Sequence, residues 1–363
     1  MIVVAKVGTS SITDDAGEID EDALAKFCAD VVEVRAAGHQ PVVVTSGAIA
    51  AGLPALGLGG SERPGDAVTL QAVSAVGQSR LMRRYNELLD GHGLVGGQVL
   101  LAPLDFMVRQ QYLHARSTLE RLLELGVVPV VNENDAIADD EIRFGDNDRL
   151  AALVAHLVGA ELVVLLTDTA GVLTADPRLD EGASLIEEIV EIDHELESAV
   201  GGAGSARGSG GMASKIAAAK MAAWSGIRTV IASASRERVL VDAVAGDAVG
   251  TVVQPRAQSL PARKLWIAFA VGSAGTVVVD PGARAALTDG GRSLLPAGVV
   301  DVDGRFEPQS AVEVATPDGE VFAKGLVGLS AEDLRAVAGS RTSDLPDGMR
   351  HEVIHRDDLV VLP

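Results

Sequence analysis

The sequence predicts a three-layer αβα sandwich built on a mostly parallel sheet, followed by a small β-rich barrel. From Met1 to about residue 253, short runs rich in Val, Leu and Ile alternate with amphipathic stretches. Such alternation is typical of a parallel sheet that is covered by helices on both faces. After residue 253 the apolar runs become shorter, glycines are frequent, and Asp318-Gly319 marks a hairpin turn.

These patterns divide the 363 residues into two domains. A single hydrophobic core rarely serves a chain longer than about 250–300 residues. We predict an α/β domain over residues 1–253 and a β-rich domain over residues 263–363. A linker over residues 254–262, which contains Pro255 and Pro261, would join them.

Six apolar runs of the first domain are predicted to be buried strands, because they are short and apolar throughout. They are residues 2–7, 41–45, 97–101, 127–131, 162–167 and 229–232. Five stretches between them carry apolar side chains at helical spacing. They are residues 20–37, 71–89, 111–125, 147–158 and 212–223. Parallel sheets bind ligands at the carboxyl ends of their strands, so residues with unusual chemistry should follow the apolar runs.

Composition and charge exclude several classes of protein. The formal net charge of −21 argues against avid general binding to nucleic acid. Cys28 is the single cysteine, so the chain forms no internal disulfide, which suits a reducing compartment. Met1 leads directly into a strand-like run without a signal-peptide pattern, and no uncharged apolar run is long enough to span a bilayer. We therefore expect a cytoplasmic protein.

Two candidate sites are turns that directly follow apolar strands. Lys6 ends the first strand, and Gly8 opens a turn rich in Gly, Ser and Thr whose backbone N–H groups suit phosphate. A solvated lysine at a strand end explains this segment equally well. Ser46 and Gly47 lie in a tight turn that enters a helix, which is a typical anion site. Taken alone, this turn is better explained by the backbone freedom of glycine.

A third candidate is a long loop after the fourth strand, which is crowded with carboxylate and amide groups. It contains Asn132-Glu133-Asn134-Asp135 and then Gly145-Asp146-Asn147-Asp148. Helix capping accounts for one such residue but not for both clusters, and long loops are often functional. The spacing is not that of an EF-hand calcium loop. This segment therefore favours a functional interpretation.

Two further segments are candidate sites. Thr167 and Asp168 end the fifth strand and could form an ordinary turn. Residues 208–215, GSGGMASK, enter a helix with Lys215 in its first turn, where a cation opposes the helix dipole unless an anion is bound. No strand directly precedes this run, which excludes a dinucleotide fingerprint, and the chain lacks the Gly-Lys pair of a Walker A loop.

Together these segments predict phosphoryl transfer. Two lysines, two glycine-rich turns and a carboxylate cluster at strand ends provide the positioning and charge neutralisation that this chemistry needs. The seven histidines are scattered and there is one cysteine, so no zinc-site spacing is evident.

The same segments, in order, resemble the glutamate 5-kinases, which belong to the amino-acid kinase family. The segments are VVAKVGTSSIT, VVVTSGAIAAG, QAVSAVGQ, VVNENDA, FGDND, LLTDTAGVLTADPR and GSGGMASK. The tail, with RKLWIAFA, GTVVVDPGARAAL and SLLPAGVVDVDGRF, resembles the PUA domain that follows many of these kinases. Each segment alone is weakly specific, but the ordered set is highly specific and covers nearly the whole chain.

The resemblance implies the amino-acid kinase fold and phosphorylation of the side-chain carboxylate of L-glutamate by ATP with Mg²⁺, the first step of proline biosynthesis. It implies that Lys6 and Lys215 neutralise the transferring phosphoryl group and that Asp148 orients both lysines. The residues implied to hold glutamate are Ser46, Asp135 and Asn147. The residues implied to bind ATP are Lys6, Gly8, Gly47, Thr167, Asp168, Ser209, Gly210, Gly211, Met212, Ala213, Ser214 and Lys215. No metal ligand of the protein is implied.

Further expectations concern partners and alternatives. The resemblance implies feedback inhibition by proline, a homo-oligomer (dimer or tetramer), and hand-over of the product to glutamyl-phosphate reductase. Two alternatives stay open. One is another member of the kinase family, acting on acetylglutamate, aspartate, carbamate or a nucleoside monophosphate. The other is an RNA-binding regulator that uses the PUA-like domain, against which the intact Lys6, Asp148 and Lys215 argue.

Overall fold

The computed structural model divides the chain into two compact units, Met1–Leu260 and Pro261–Pro363. It describes residues 1–14, 16–58, 64–137, 147–175, 180, 182–193, 196–197, 211–257, 260–346 and 348–362. The division lies inside the predicted linker. The ends of that linker, residues 254 and 262, stay a prediction.

The first unit is built on an eight-stranded sheet. Its strands are β1 (Ile2–Val7), β2 (Gln40–Thr45), β3 (Gly96–Leu101), β4 (Val128–Glu133), β5 (Leu162–Thr167), β6 (Glu188–Ile189), β7 (Arg228–Ser233) and β8 (Gly250–Val253). The spatial order is β3-β4-β2-β1-β5-β7-β8-β6. The first six strands in that order run parallel, and β8 pairs with β7 in the antiparallel direction. The predicted strands are all present, with ends shifted by two residues or fewer.

Eight helices accompany these strands in the described part of the unit. They are α1 (Glu21–Ala36), α2 (Ala48–Gly52), α3 (Ala67–Asp90), α4 (Leu104–Met107), α5 (Arg109–Glu124), α6 (Asn147–Val158), α7 (Met212–Trp224) and α8 (Val239–Ala245). Two of the long helices, α1 and α3, begin at a residue whose side chain caps the helix. Asp20 accepts a hydrogen bond from the backbone N–H of Ala23, and Asp66 accepts one from that of Thr69.

The central strand β1 shows that helices cover both faces of the sheet. Val3, Ala5 and Val7 pack into a core shared with α1, α3 and α8. Side chains alternate along a strand, so Lys6 points to the opposite face, where it contacts Asp148 of α6. The predicted three-layer arrangement is confirmed.

Helices α2 and α3 touch through their backbones. A Cβ atom on Gly77 of α3 would lie 1.7 Å from the carbonyl oxygen of Ala48 in α2. A Cβ atom on Gly52 of α2 would lie 2.2 Å from the carbonyl oxygen of Val73 in α3. Because only glycine allows this approach, the turn that precedes α2 is held against α3.

The second unit is small and rich in strands. It contains α9 (Ala262–Leu265), β9 (Gly275–Val279), α10 (Pro281–Thr288), β10 (Val299–Gly304), β11 (Ala311–Ala315), β12 (Val321–Val327), α11 (Ala331–Val337) and β13 (Ile354–Val361). The strands form one sheet in the order β10-β9-β11-β12-β13. The predicted hairpin is confirmed, because β11 and β12 pair antiparallel across a turn in which Gly319 has φ +91°. Within the described residues of both units, no helix has the length and apolar character needed to cross a membrane.

Candidate active site

The candidate residues lie at one edge of the first sheet. Strands β4, β2, β1 and β5 are neighbours and run parallel, so their carboxyl ends share an edge. Lys6 lies near the end of β1, and Ser46 follows β2. Asp135 follows β4, and Thr167 ends β5. This is the edge at which such sheets bind ligands.

Two lysines that are distant in sequence meet at one carboxylate. The ammonium group of Lys6 lies 2.6 Å from Oδ1 of Asp148, and that of Lys215 lies 3.1 Å from Oδ2. The exposed fractions of Lys6, Asp148 and Lys215 are 3%, 0% and 4%. A buried cation is unfavourable unless it is paired, and here two cations share one anion. The two ammonium groups are therefore held beside one buried carboxylate, at the edge where such sheets bind ligands.

Burial and the lysines act in opposite directions on the pKa of Asp148. Desolvation raises the pKa of this carboxyl. The charges of Lys6 and Lys215 and the hydrogen bonds to the carboxylate together lower the pKa by more than desolvation raises it. The net effect is a pKa below the ordinary value of aspartic acid. Asp148 is therefore ionised at neutral pH and can hold both ammonium groups.

The N-terminus of α7 supplies further groups to this cluster. Gly211 caps the helix, and Oγ of Ser214 lies 2.8 Å from Oδ2 of Asp148 and 2.9 Å from the carbonyl oxygen of Gly211. Met212 is half-buried and Ala213 is exposed in the first turn. Backbone N–H groups in such a turn are available to an anion. Ser209 and Gly210, which were also predicted to bind ATP, lie outside the described residues.

A set of buried amides lies beside the lysine cluster. Nδ2 of Asn147 lies 2.6 Å from the carbonyl oxygen of Thr45, 3.0 Å from Oγ of Ser46 and 2.7 Å from Oδ1 of Asn132. Among the described residues, the buried atoms Oδ1 of Asn147 and Nδ2 of Asn132 have no hydrogen-bond partner. Buried polar groups are normally paired, so this donor and this acceptor are suited to a polar ligand.

The two glycine turns differ in what they require. Gly47 has φ +97°, a conformation that other residues rarely adopt, and it precedes the first residue of α2. A Cβ atom there would also lie 3.1 Å from Cδ1 of Ile12. At Gly8, φ is −85° and a Cβ atom would lie 3.4 Å from the ammonium nitrogen of Lys6, an ordinary contact. Of these two turns, only the one at residue 47 therefore requires glycine for its backbone conformation.

Three other predicted residues lie at or just after the ends of β5 and β4. Thr167 is buried at the end of β5, two positions beyond Leu165, the strand partner of Lys6, and its hydroxyl donates to Oδ1 of Asp168 at 3.1 Å. Asp135 is half-buried after β4, and its Oδ2 accepts a hydrogen bond of 2.9 Å from the hydroxyl of Ser74 in α3.

A comparison with models of known families adds the decisive observation. The model of the amino acid kinase family matches residues 1–233, well over half of the chain. The chain belongs to the amino acid kinase family. A second model, that of the PUA domain, matches residues 275–349, in the second unit.

Relatives within this family cover the whole chain. A protein of Pelobacter propionicus named glutamate 5-kinase is 45% identical over 364 residues, which are 99% of this chain and 97% of that protein. A glutamate 5-kinase of Cupriavidus metallidurans is 44% identical with the same coverage. A solved structure of isopentenyl phosphate kinase, 22% identical with a TM-score of 0.50, covers 70% of this chain and all of that one. The last likeness concerns the fold alone, and the predicted fold class is confirmed.

Two residues at the site of this amino acid kinase were not predicted to have a role. Asn132 lies inside β4, in a segment that was quoted for its acidic and amide groups, and its exposed fraction is 3%. A buried amide that directly follows four apolar residues of the same strand is a signal that could have identified it. Ser74 is part of a helix with no signal of its own, and its contact with Asp135 is visible only in the structure.

Proposed function

We propose that the chain transfers the terminal phosphoryl group of ATP to the side-chain carboxylate of L-glutamate. The products would be L-glutamyl 5-phosphate and ADP, and the reaction would be the first step of proline biosynthesis. The observation that carries the proposal is the meeting of Lys6 and Lys215 at the buried carboxylate of Asp148. The relatives named glutamate 5-kinase, 44–45% identical over the whole chain, support the choice of substrate.

The lysine cluster is suited to the charge that moves during phosphoryl transfer. The transferring group carries negative charge on its three equatorial oxygens, and fixed cations stabilise it without reorganisation. In this proposal Lys6 and Lys215 flank that group, and Asp148 keeps both ammonium groups in place. The first turn of α7 and the turns at Gly8 and Gly47 offer N–H groups to the phosphates of ATP. Thr167 and Asp168 would line the nucleotide site on the β5 side.

Magnesium would accompany the nucleotide. Mg²⁺ prefers oxygen ligands and is usually held by substrate phosphates with one or two carboxylates, rather than by a complete protein cage. The described residues contain no group of three or more His, Cys, Asp or Glu side chains that could hold a metal. Phosphate oxygens of the nucleotide would supply most of the ligands of Mg²⁺. When bound, it would neutralise part of the phosphate charge.

The amide cluster and Asp135 are suited to an amino acid. Asp135 would face the ammonium group of glutamate, while Ser46 and Asn147 would hold the rest of the substrate. Nδ2 of Asn132, buried without a partner among the described residues, is a donor suited to one of the substrate carboxylates.

The chemistry of this acceptor needs no general base. The side-chain carboxyl of glutamate has an unperturbed pKa of about 4.3, so it is already a nucleophilic anion at neutral pH. The barrier lies in bringing two anions together, namely the carboxylate and the polyphosphate. Two buried lysines at the point where the anions meet would reduce the repulsion between them.

A panel of acceptors tests the proposal. ADP release is measured by a coupled assay with ATP, Mg²⁺ and one of L-glutamate, N-acetylglutamate, aspartate, carbamate or UMP. We expect release with L-glutamate well above the rate with any other acceptor. Faster release with another acceptor would assign the site to a different member of the family, and release with none would contradict the kinase activity.

The proposed function also includes regulation, assembly and use of the product. Proline would compete at the amino-acid side of the site, the chain would act as a homo-oligomer in the cytoplasm, and a glutamyl-phosphate reductase would consume the product. The last point follows from chemistry, because an acyl phosphate is hydrolysed unless a second enzyme uses it promptly. RNA binding by the PUA unit is a separate hypothesis, which a filter-binding assay across salt concentrations tests.

A further inference from the structure

Helix α3 presents a buried polar face to the amino-acid side of the site. Ser74, Gln78 and Tyr85 are spaced by four and seven residues, which places them on one side of a helix. Their exposed fractions are 0%, 8% and 0%. Buried polar side chains on a helix must find partners, and each of these three finds one in a different segment of the site.

The three contacts reach three parts of the pocket. The hydroxyl of Ser74 donates to Oδ2 of Asp135 at 2.9 Å. Nε2 of Gln78 donates to the carbonyl oxygen of Glu133 at 3.4 Å. The hydroxyls of Tyr85 and Thr45 lie 2.8 Å apart. The carbonyl of this threonine is in turn an acceptor of the Asn147 amide.

The backbone of α3 is held in place between Ser74 and Gln78. Gly77, one turn after Ser74, contacts α2 so closely that a Cβ atom would lie 1.7 Å from the carbonyl oxygen of Ala48. Helix α2 itself follows the Ser46-Gly47 turn of the site. The helix is therefore positioned relative to the pocket by backbone contact, and Ser74 presents its hydroxyl from a fixed point.

Among the three contacts, that of Ser74 acts on a charged group that faces the substrate in the proposed function. A hydrogen bond to a carboxylate is roughly twice as strong as one between neutral groups. Asp135 is half-buried in a turn after β4, where an aspartate has several accessible side-chain rotamers. A donor on a rigid helix selects one of them and so fixes the direction in which the carboxylate points.

We infer that Ser74 is a positioning residue that aims the carboxylate of Asp135 at the ammonium group of the amino-acid substrate. The inference rests on the proposed function, since it assumes an amino acid in this pocket. Its consequence is selectivity, because Ser74 strengthens the binding of a dicarboxylate that carries an α-ammonium group and not of the same dicarboxylate without it.

The test compares Ser74→Ala with Ser79→Ala, a matched control on the same helix. Ser79 is exposed and its hydroxyl donates to the carbonyl of Val76, away from the site. In Ser74→Ala we expect the KM for glutamate to rise about tenfold with kcat unchanged, the effect of losing one hydrogen bond to a charged group. The inhibition constant of glutarate, which lacks the ammonium group, should stay at the wild-type value. Ser79→Ala should match the wild type in all three quantities.

A double-mutant cycle with Asp135→Ala completes the test. Asp135→Ala should itself raise the KM for glutamate, and Ser74→Ala should add nothing in that background because its target is gone. Independent effects, an unchanged KM in Ser74→Ala, or an equal rise in the glutarate constant would overturn the inference. Lack of glutamate-dependent ADP release by the wild type in the same assay would instead contradict the proposed function.

Discussion

Replacement of either buried lysine by methionine should lower kcat about 10²–10³-fold, the range observed when one fixed stabilising group is removed from a transition state. Lys6 and Lys215 contact the same carboxylate from opposite oxygens, so neither can take over the position of the other. Methionine keeps most of the side-chain volume and removes the charge, which separates electrostatics from packing. Binding of glutamate should be largely retained, because the amide cluster and Asp135 are left intact.

The matched control is Lys220→Met. Lys220 lies on the same helix as Lys215, is also about nine-tenths buried, and pairs with Glu197 at 2.9 Å. Steady-state rates with ATP and glutamate, together with glutamate binding by calorimetry, compare the three variants. Lys220→Met should keep near-normal turnover. Near-normal turnover in Lys6→Met or Lys215→Met would remove that lysine from the proposed machinery.

Asp148→Asn should have the largest effect on stability. The substitution leaves two buried ammonium groups without their shared counter-charge, and removing one partner of a buried ion pair typically costs about 3–5 kcal/mol of unfolding free energy. The hydroxyl of Ser214 also loses its charged acceptor. Turnover should fall as well, because the lysines are no longer held at one point.

The pH dependence of this stability term has a definite sign. The pKa of Asp148 is lowered in the folded protein, by Lys6 and Lys215 against the opposing effect of burial. A lowered pKa stabilises the fold fully above the unfolded value of about 3.9 and loses this contribution as pH falls through the folded value. The difference in unfolding free energy between wild type and Asp148→Asn should therefore be constant near neutral pH. It should narrow only in more acidic solution.

Denaturant unfolding at several pH values, paired with steady-state rates, measures both effects. Asp30→Asn is the control, since Asp30 is also buried and accepts a hydrogen bond from the N–H of Leu240 in α8, away from the site. It should keep its kcat even if the fold is weakened. An Asp148→Asn variant with wild-type stability and turnover would show that the carboxylate does not organise the lysines.

The fold was largely predictable because its strands are apolar on both faces and its helices carry a clear period. The run of residues 162–167 and the helix over residues 147–158 have the bounds that the pattern predicts. Strands β6 and β8, of two and four residues, were not predicted. The helix α2 was expected after the Ser46-Gly47 turn, but the sequence did not define where it ends.

The residue types of the site were predictable from local patterns, and the resemblance implied that Asp148 orients both lysines. Lys6, Asp148 and Lys215 stand out because charged residues follow apolar strands or a glycine run. That one carboxylate joins both lysines depends on how α6 and α7 pack, which no local pattern contains. The contacts of Asn132 and Ser74 likewise depend on tertiary structure.

Trapping the product shows whether the chain transfers a phosphoryl group to the side-chain carboxylate of glutamate. The chain is incubated with ATP, Mg²⁺, L-glutamate and hydroxylamine, which converts an acyl phosphate to a stable hydroxamate, and the product is located by mass spectrometry. We expect a hydroxamate at the side-chain carbon, formed in step with ADP. ADP release without any hydroxamate, or a hydroxamate on the α-carboxylate, would contradict it.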